Sequence, residues 1–208
     1  MPEKSALVKL IESVSPSFAQ KMQKEPTKIT PYPADFLRRG EVLHIACNGP
    51  YGPSLMTVGY LAPDFIVSLG SNPEGFYQLA ARGGLVLDTP ERRARYVKTF
   101  LDTTKELHKR TQFLDKFPDL RKTPQTTPEE LKRYQALKEQ YDSLIRPLSL
   151  APQPPWQGRT YALVIWDLVQ YDVTLAADGK VTIATAVVEK TLPLCLQLVP
   201  AQSPRGGR

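Results

Sequence analysis

Asp178-Gly179 lies between two β-rich runs, and no other feature of this chain constrains its fold as strongly. Arg159 to Leu175 is dense in Val, Ile, Leu, Tyr and Trp, and Val181 to Leu192 follows after Ala177-Asp178-Gly179-Lys180. A two-residue type I′ turn needs positive φ at both central residues, which Asp-Gly supplies. The dipeptide therefore predicts an antiparallel hairpin. Counting outward from a two-residue loop, Ala177 opposes Lys180, Val173 faces Ala184, Tyr171 faces Ala186 and Val169 faces Val188. That apolar face is expected to pack on helices, with Gln170, Asp172 and Thr174 on a wetter side. The run from Arg159 is about three times the usual strand length, so a bend or bulge near Asp167 is expected.

Upstream, Glu41 to Cys47, Leu55 to Leu61 and Phe65 to Leu69 read as a meander of short strands. The turn signals between them are Asn48-Gly49-Pro50-Tyr51-Gly52-Pro53 and Pro63-Asp64. Gly59 inside the second strand suggests a bulge or a close contact. Three helices are announced by one device: Asn72-Pro73-Glu74, Thr89-Pro90-Glu91 and Thr127-Pro128-Glu129. Each places a capping oxygen before a proline that loses no needed donor and an acid that suits the positive helix end. The first ends at Gly83-Gly84 and the second is read as running to about Leu114. The third carries Leu131, Tyr134, Leu137, Tyr141 and Leu144 at helical spacing. Ala6, Leu7, Leu10, Ile11 and Val14 predict an N-terminal helix, broken at Pro16 and resumed from Ser17 to Gln23.

These elements come in blocks, which argues for an α+β fold rather than a parallel doubly wound one. The expected architecture is an antiparallel sheet, made of the N-terminal meander and the long C-terminal hairpin, packed on one face by about three helices. Residues 1–33 read as a helical extension and proline-rich linker, 34–198 as one domain and 199–208 as a disordered basic tail. Trp156 and Trp166 are both read as packing residues.

Length and composition set outer bounds. A chain of 208 residues, 41% hydrophobic and 23% charged, is long enough to bury a core without staples. Its two cysteines, Cys47 and Cys195, make no zinc or redox motif, although a single bridge between them stays open. No apolar run is long enough to span a bilayer, and the first twelve residues make a poor secretory signal. A cytoplasmic location is therefore expected. The net charge of +6 is local, because residues 90–122 hold ten basic residues against five acids.

Three places could carry function. His44, Cys47 and Tyr51 could line a small-molecule or enzymatic pocket at the 44–53 loop. His44 and Cys47, however, are three apart on a strand and point to opposite faces, which is poor geometry for a thiol–imidazole pair. Gly49-Pro-Tyr-Gly52 lacks the ending of a phosphate loop. The basic segment could bind an anion or nucleic acid through Arg92, Arg93, Arg121 and Lys122. Local pairs such as Glu91–Arg95, Lys98–Asp102 and Glu106–Arg110, and the absence of interleaved aromatics, favour a solvated helix face instead. His108, with only two histidines in the chain, suggests no metal site, and no cofactor or metal is expected. The preferred expectation is a non-catalytic interaction or assembly module, binding a protein partner or itself, with the N-terminal helix as the docking element. The C-terminal hairpin is read as architectural.

Overall fold

The computed structural model describes residues 3–50, 52–105, 110–119 and 126–193. It is an α+β fold with two antiparallel four-stranded sheets and five helices. The chain divides into two compact units, Met1–Leu107 and His108–Arg208. The meander and the C-terminal hairpin thus belong to separate sheets rather than to one.

The first unit contains α1 (Lys4–Val14), α2 (Pro16–Lys24), β1 (Thr27–Tyr32), β2 (Glu41–Gly49), β3 (Gly52–Leu61), β4 (Phe65–Ser68), α3 (Pro73–Gly83) and α4 (Pro90–Thr104). Its sheet has the order β1-β2-β3-β4. The supposed linker is partly an edge strand: Pro31 opposes Leu43 in the β1–β2 pair. Proline is compatible with that position because an edge residue can turn its missing N–H side away from the ladder.

Helices cover both faces of this sheet. Leu7, Val8, Ile11, Phe18, Ala19 and Met22 of α1 and α2 form one core with Leu43, Ile45, Cys47 and Val58. The N-terminal helices are therefore part of the unit's interior and not an extension. On the opposite face, Gly59 gives close approach to α3, where an added Cβ would lie 2.6 Å from Leu79. Helix α4 joins α3 through Phe76, Tyr96 and Phe100, with ring centroids 5.2 and 5.4 Å apart. The helix starts follow the sequence signals: Asn72, Thr89 and Thr127 each accept from the backbone N–H three residues on.

The second unit contains β5 (Thr111–Leu114), α5 (Pro128–Tyr141), β6 (Trp156–Val164), β7 (Asp167–Leu175) and β8 (Val181–Glu189), with sheet order β5-β6-β7-β8. Helix α4 stops at Thr104, so Thr111–Leu114, expected as helix, is strand. Tyr134, Leu137 and Tyr141 of α5 pack on Leu114, Tyr161, Leu163 and Leu168. This is the face opposite Val169 and Val173, the one assigned to helices from sequence. Leu168 and Val169 are neighbours and both buried, so hydrophobicity alone could not choose between the faces. Leu144, the last residue of the predicted stripe, is 54% exposed.

The long β-run from Arg159 is itself a hairpin. Val164 pairs with Asp167, which leaves Ile165-Trp166 as a two-residue turn. Ile165 has φ +60° and Trp166 is 39% exposed, not packed. Positive φ at the first central residue is the type II′ arrangement, where glycine is the usual occupant. A β-branched residue is strained there, which is why no turn signal marks the site.

Candidate interaction edge

The β7–β8 connection determines which groups β8 presents outward. Leu175 pairs with Val181, Val173 with Ile183 and Val169 with Val187, one residue off the register expected from a two-residue loop. The Gly179 N–H donates to the Ala176 carbonyl, and Gly179 has φ +89°. The Lys180 N–H donates to Asp178 Oδ1 at 2.9 Å. This is a three-residue loop with a glycine bulge, the commonest alternative to type I′. Asp-Gly therefore marks the hairpin correctly and leaves its loop length open.

The Ala176 N–H donates to the Lys180 carbonyl at 2.9 Å, so Ala176 and Lys180 are a hydrogen-bonded pair. In an antiparallel ladder such pairs alternate with non-bonded ones. Thr182, Ala184 and Ala186 thus bond to β7, and the N–H and C=O groups of Ile183, Thr185 and Val187 point away from it. Among the described residues, β7 is the strand that pairs with β8. All six residues from Thr182 to Val187 are exposed, and Ile183 and Val187 are 39% and 51% exposed.

A strand edge of this kind is a template for another strand, and proteins blunt such edges with lysine, proline, bulges or short length. The other three edges follow that rule. β1 carries Lys28 and Pro31. β4 and β5 have four residues each. β8 has nine residues, with neither charge nor proline before Glu189 and one irregularity near its end, opposite Leu168 and Val169. On the polar face of β7, Asp172 accepts from Arg159 Nε at 2.7 Å and from Gln170 Nε2 at 2.8 Å. These bonds hold its carboxyl below the usual carboxylate range, with the Arg159 bond the larger cause. At the other end, Tyr141 donates to Glu189 Oε1 at 3.0 Å, and burial first, then this bond, push the phenol up to about 12.

The residues singled out from sequence are not brought together. His44 and Cys47 do lie on opposite faces of β2. Cys47 is fully buried in the core beneath α1 and α2. His44 is half-buried, its Nδ1 lies 3.1 Å from Thr57 Oγ1, and burial lowers its pKa. Tyr51, Cys195, His108, Arg121, Lys122 and the 199–208 tail lie outside the described residues. Arg92 is bound to Asp88 at 2.8 Å, and Arg93 donates to the Leu87 and Asp88 carbonyls. Arg95 reaches Asp35 at 2.8 Å rather than relying on Glu91, and Asp102 accepts from Tyr32 at 2.6 Å. The basic segment is also divided between the two units. Arg92, Arg93 and Arg95 thus have local partners.

An open groove of about 610 Å³ runs beside α5, lined by Gln135, Lys138, Glu139, Asp142, Ser143 and Arg146. This polar lining lacks the apolar enclosure typical of a small-molecule site. Among the described residues there is no cluster of three potential metal ligands and no helix long and apolar enough to cross a membrane. The sequence signal that identifies β8 is the uncharged run from Val181 to Val188, legible only once the strand is known to be an edge. No family, curated protein or solved structure matches the chain.

Proposed function

We propose that the protein is a non-catalytic interaction or assembly module that associates through the exposed stretch Thr182–Val187 of β8. The observation that supports this reading is a nine-residue strand with no charge or proline before Glu189, on which Ile183 and Val187 are exposed and which, among the described residues, pairs with β7 alone. Strand addition uses such an edge, with main-chain bonds giving affinity and alternate side chains giving selectivity. The N-terminal helices do not fit the docking role, because their apolar residues are consumed in the first unit's core.

The test is a double variant, Ile183→Lys with Val187→Lys, expressed with an affinity tag in the source cells. Both positions are exposed, so the fold should hold to within about 1 kcal/mol. The tagged wild-type chain should migrate in extract at more than its own 23.3 kDa, and the variant at monomer size. A wild-type chain that already runs as a monomer contradicts the proposal.

A further inference from the structure

We infer that Arg38, Arg39 and Arg82 form a second contact site, on the first unit, that takes the phosphate backbone of a duplex nucleic acid. The fold brings the three together where α3 ends. The Arg38 and Arg39 N–H groups donate to the Gly84 and Gly83 carbonyls at 3.1 and 3.0 Å. Arg39 Nε donates to the Arg82 carbonyl at 3.2 Å, across 43 residues of chain. The Arg38 stem lies over Gly84, where an added Cβ would come within 3.4 Å of it. Arg82 places its guanidinium 4.5 Å from the centre of the Phe65 ring. All three arginines are exposed.

They differ from the arginines of α4. Asp88 holds Arg92 and Asp35 holds Arg95, each at 2.8 Å. Among the described residues no acid pairs with Arg38, Arg39 or Arg82, Glu41 and Asp64 included. Three guanidinium groups without counter-ions raise the local positive potential. Each is a planar fork that matches phosphate oxygens.

The surroundings narrow the partner. Among the described residues, the exposed large apolar side chains of the first unit are Val14 and Leu55, at the end of α1 and in β3. Neither belongs to the segments that meet here, so a bilayer has no apolar anchor at this corner. The Phe65 ring already lies against Arg82, which leaves it unable to stack on an unpaired base. What remains is contact with phosphates alone. A duplex presents them at about one charge per 1.7 Å of helix axis. Such contacts position the protein without reading sequence.

The experiment measures fluorescence anisotropy of a labelled short DNA duplex, titrated with the full chain across a salt series. Three phosphate contacts predict a slope of log K against log salt of about −2.7. Arg38→Gln should flatten that slope by about 0.9, and Arg38→Gln, Arg39→Gln and Arg82→Gln together by about 2.7. A control of equal charge loss, Lys9→Gln with Lys24→Gln and Lys28→Gln, should leave the slope unchanged. Thermal unfolding checks that each variant is folded. Arg38 makes no side-chain hydrogen bond among the described residues, so Arg38→Gln decides the matter if the triple variant does not fold. Absence of duplex binding at low salt, or an equal effect of the lysine control, overturns the site. Tighter binding to a single strand of the same sequence overturns the duplex as partner. So does arginine-dependent binding to phosphatidylserine vesicles without binding to the duplex.

Discussion

The two sheets have the same strand count and the same antiparallel connectivity, yet they meet solvent differently. The first is covered by α1 and α2 on one face and by α3 on the other, and its edges are a strand with lysine and proline and a strand of four residues. The second has α5 on one face and ends in nine uncharged-to-Glu189 residues that are mostly exposed. The first unit spends most of its apolar residues on its own interior, with Val14 and Leu55 exposed. The second leaves Ile165, Trp166, Ile183 and Val187 at the surface. Among the described residues three sheet edges are blunted, while β8 is long and uncharged up to Glu189, which supports the proposal of association through it.

The largest expected effect breaks the first half of this contrast. Leu7 and Ile11 are fully buried, so Leu7→Ala or Ile11→Ala should each cost about 2–5 kcal/mol in urea unfolding. If α1 were a detachable docking arm, these changes would leave stability unaltered.

The next prediction sharpens the reading of β8. Ala184→Pro removes a donor to β7 and should cost about 2–3 kcal/mol. Thr185→Pro removes only an outward N–H and should cost about 1 kcal/mol or less while abolishing association. Equal losses in thermal unfolding would mean that the outward and inward residues are wrongly assigned.

A smaller effect is expected at the β6–β7 turn. Ile165→Gly relieves the positive φ and should raise stability by about 1 kcal/mol, the strain released exceeding the added chain entropy. The smallest expected effect concerns pH in the first unit. Burial lowers the His44 pKa from 6.5, so the unfolded chain binds more protons than the folded one below that value. The resulting penalty is absent above about pH 6.5, grows as pH falls below it, and levels off beneath the folded value. His44→Gln should remove this component from the stability-versus-pH curve.

The α+β class, the capped starts of α3, α4 and α5 and the meander were legible because each rests on local chemistry. Asn72, Thr89 and Thr127 cap whatever the rest of the chain does. The strand pairing at Ile165-Trp166 was not legible, since the turn uses a residue that ordinarily avoids positive φ. The hairpin at Asp178-Gly179 was legible as a turn but not in register, because a three-residue bulged loop and a two-residue loop both accept that dipeptide. Edge status is wholly non-local: nothing within Val181–Glu189 says that β5 lies at one end of the sheet and β8 at the other. The chemistry of His44, Cys47 and the arginines is visible residue by residue, whereas the exposure of Thr182 to Val187 depends on which strands β8 meets in the fold.

Amide hydrogen exchange along β8 tests the central claim most directly. The account predicts an alternating pattern in dilute solution, with Thr182, Ala184 and Ala186 slow and Ile183, Thr185 and Val187 fast. Uniformly slow exchange from Thr182 to Val187 in dilute solution would contradict it.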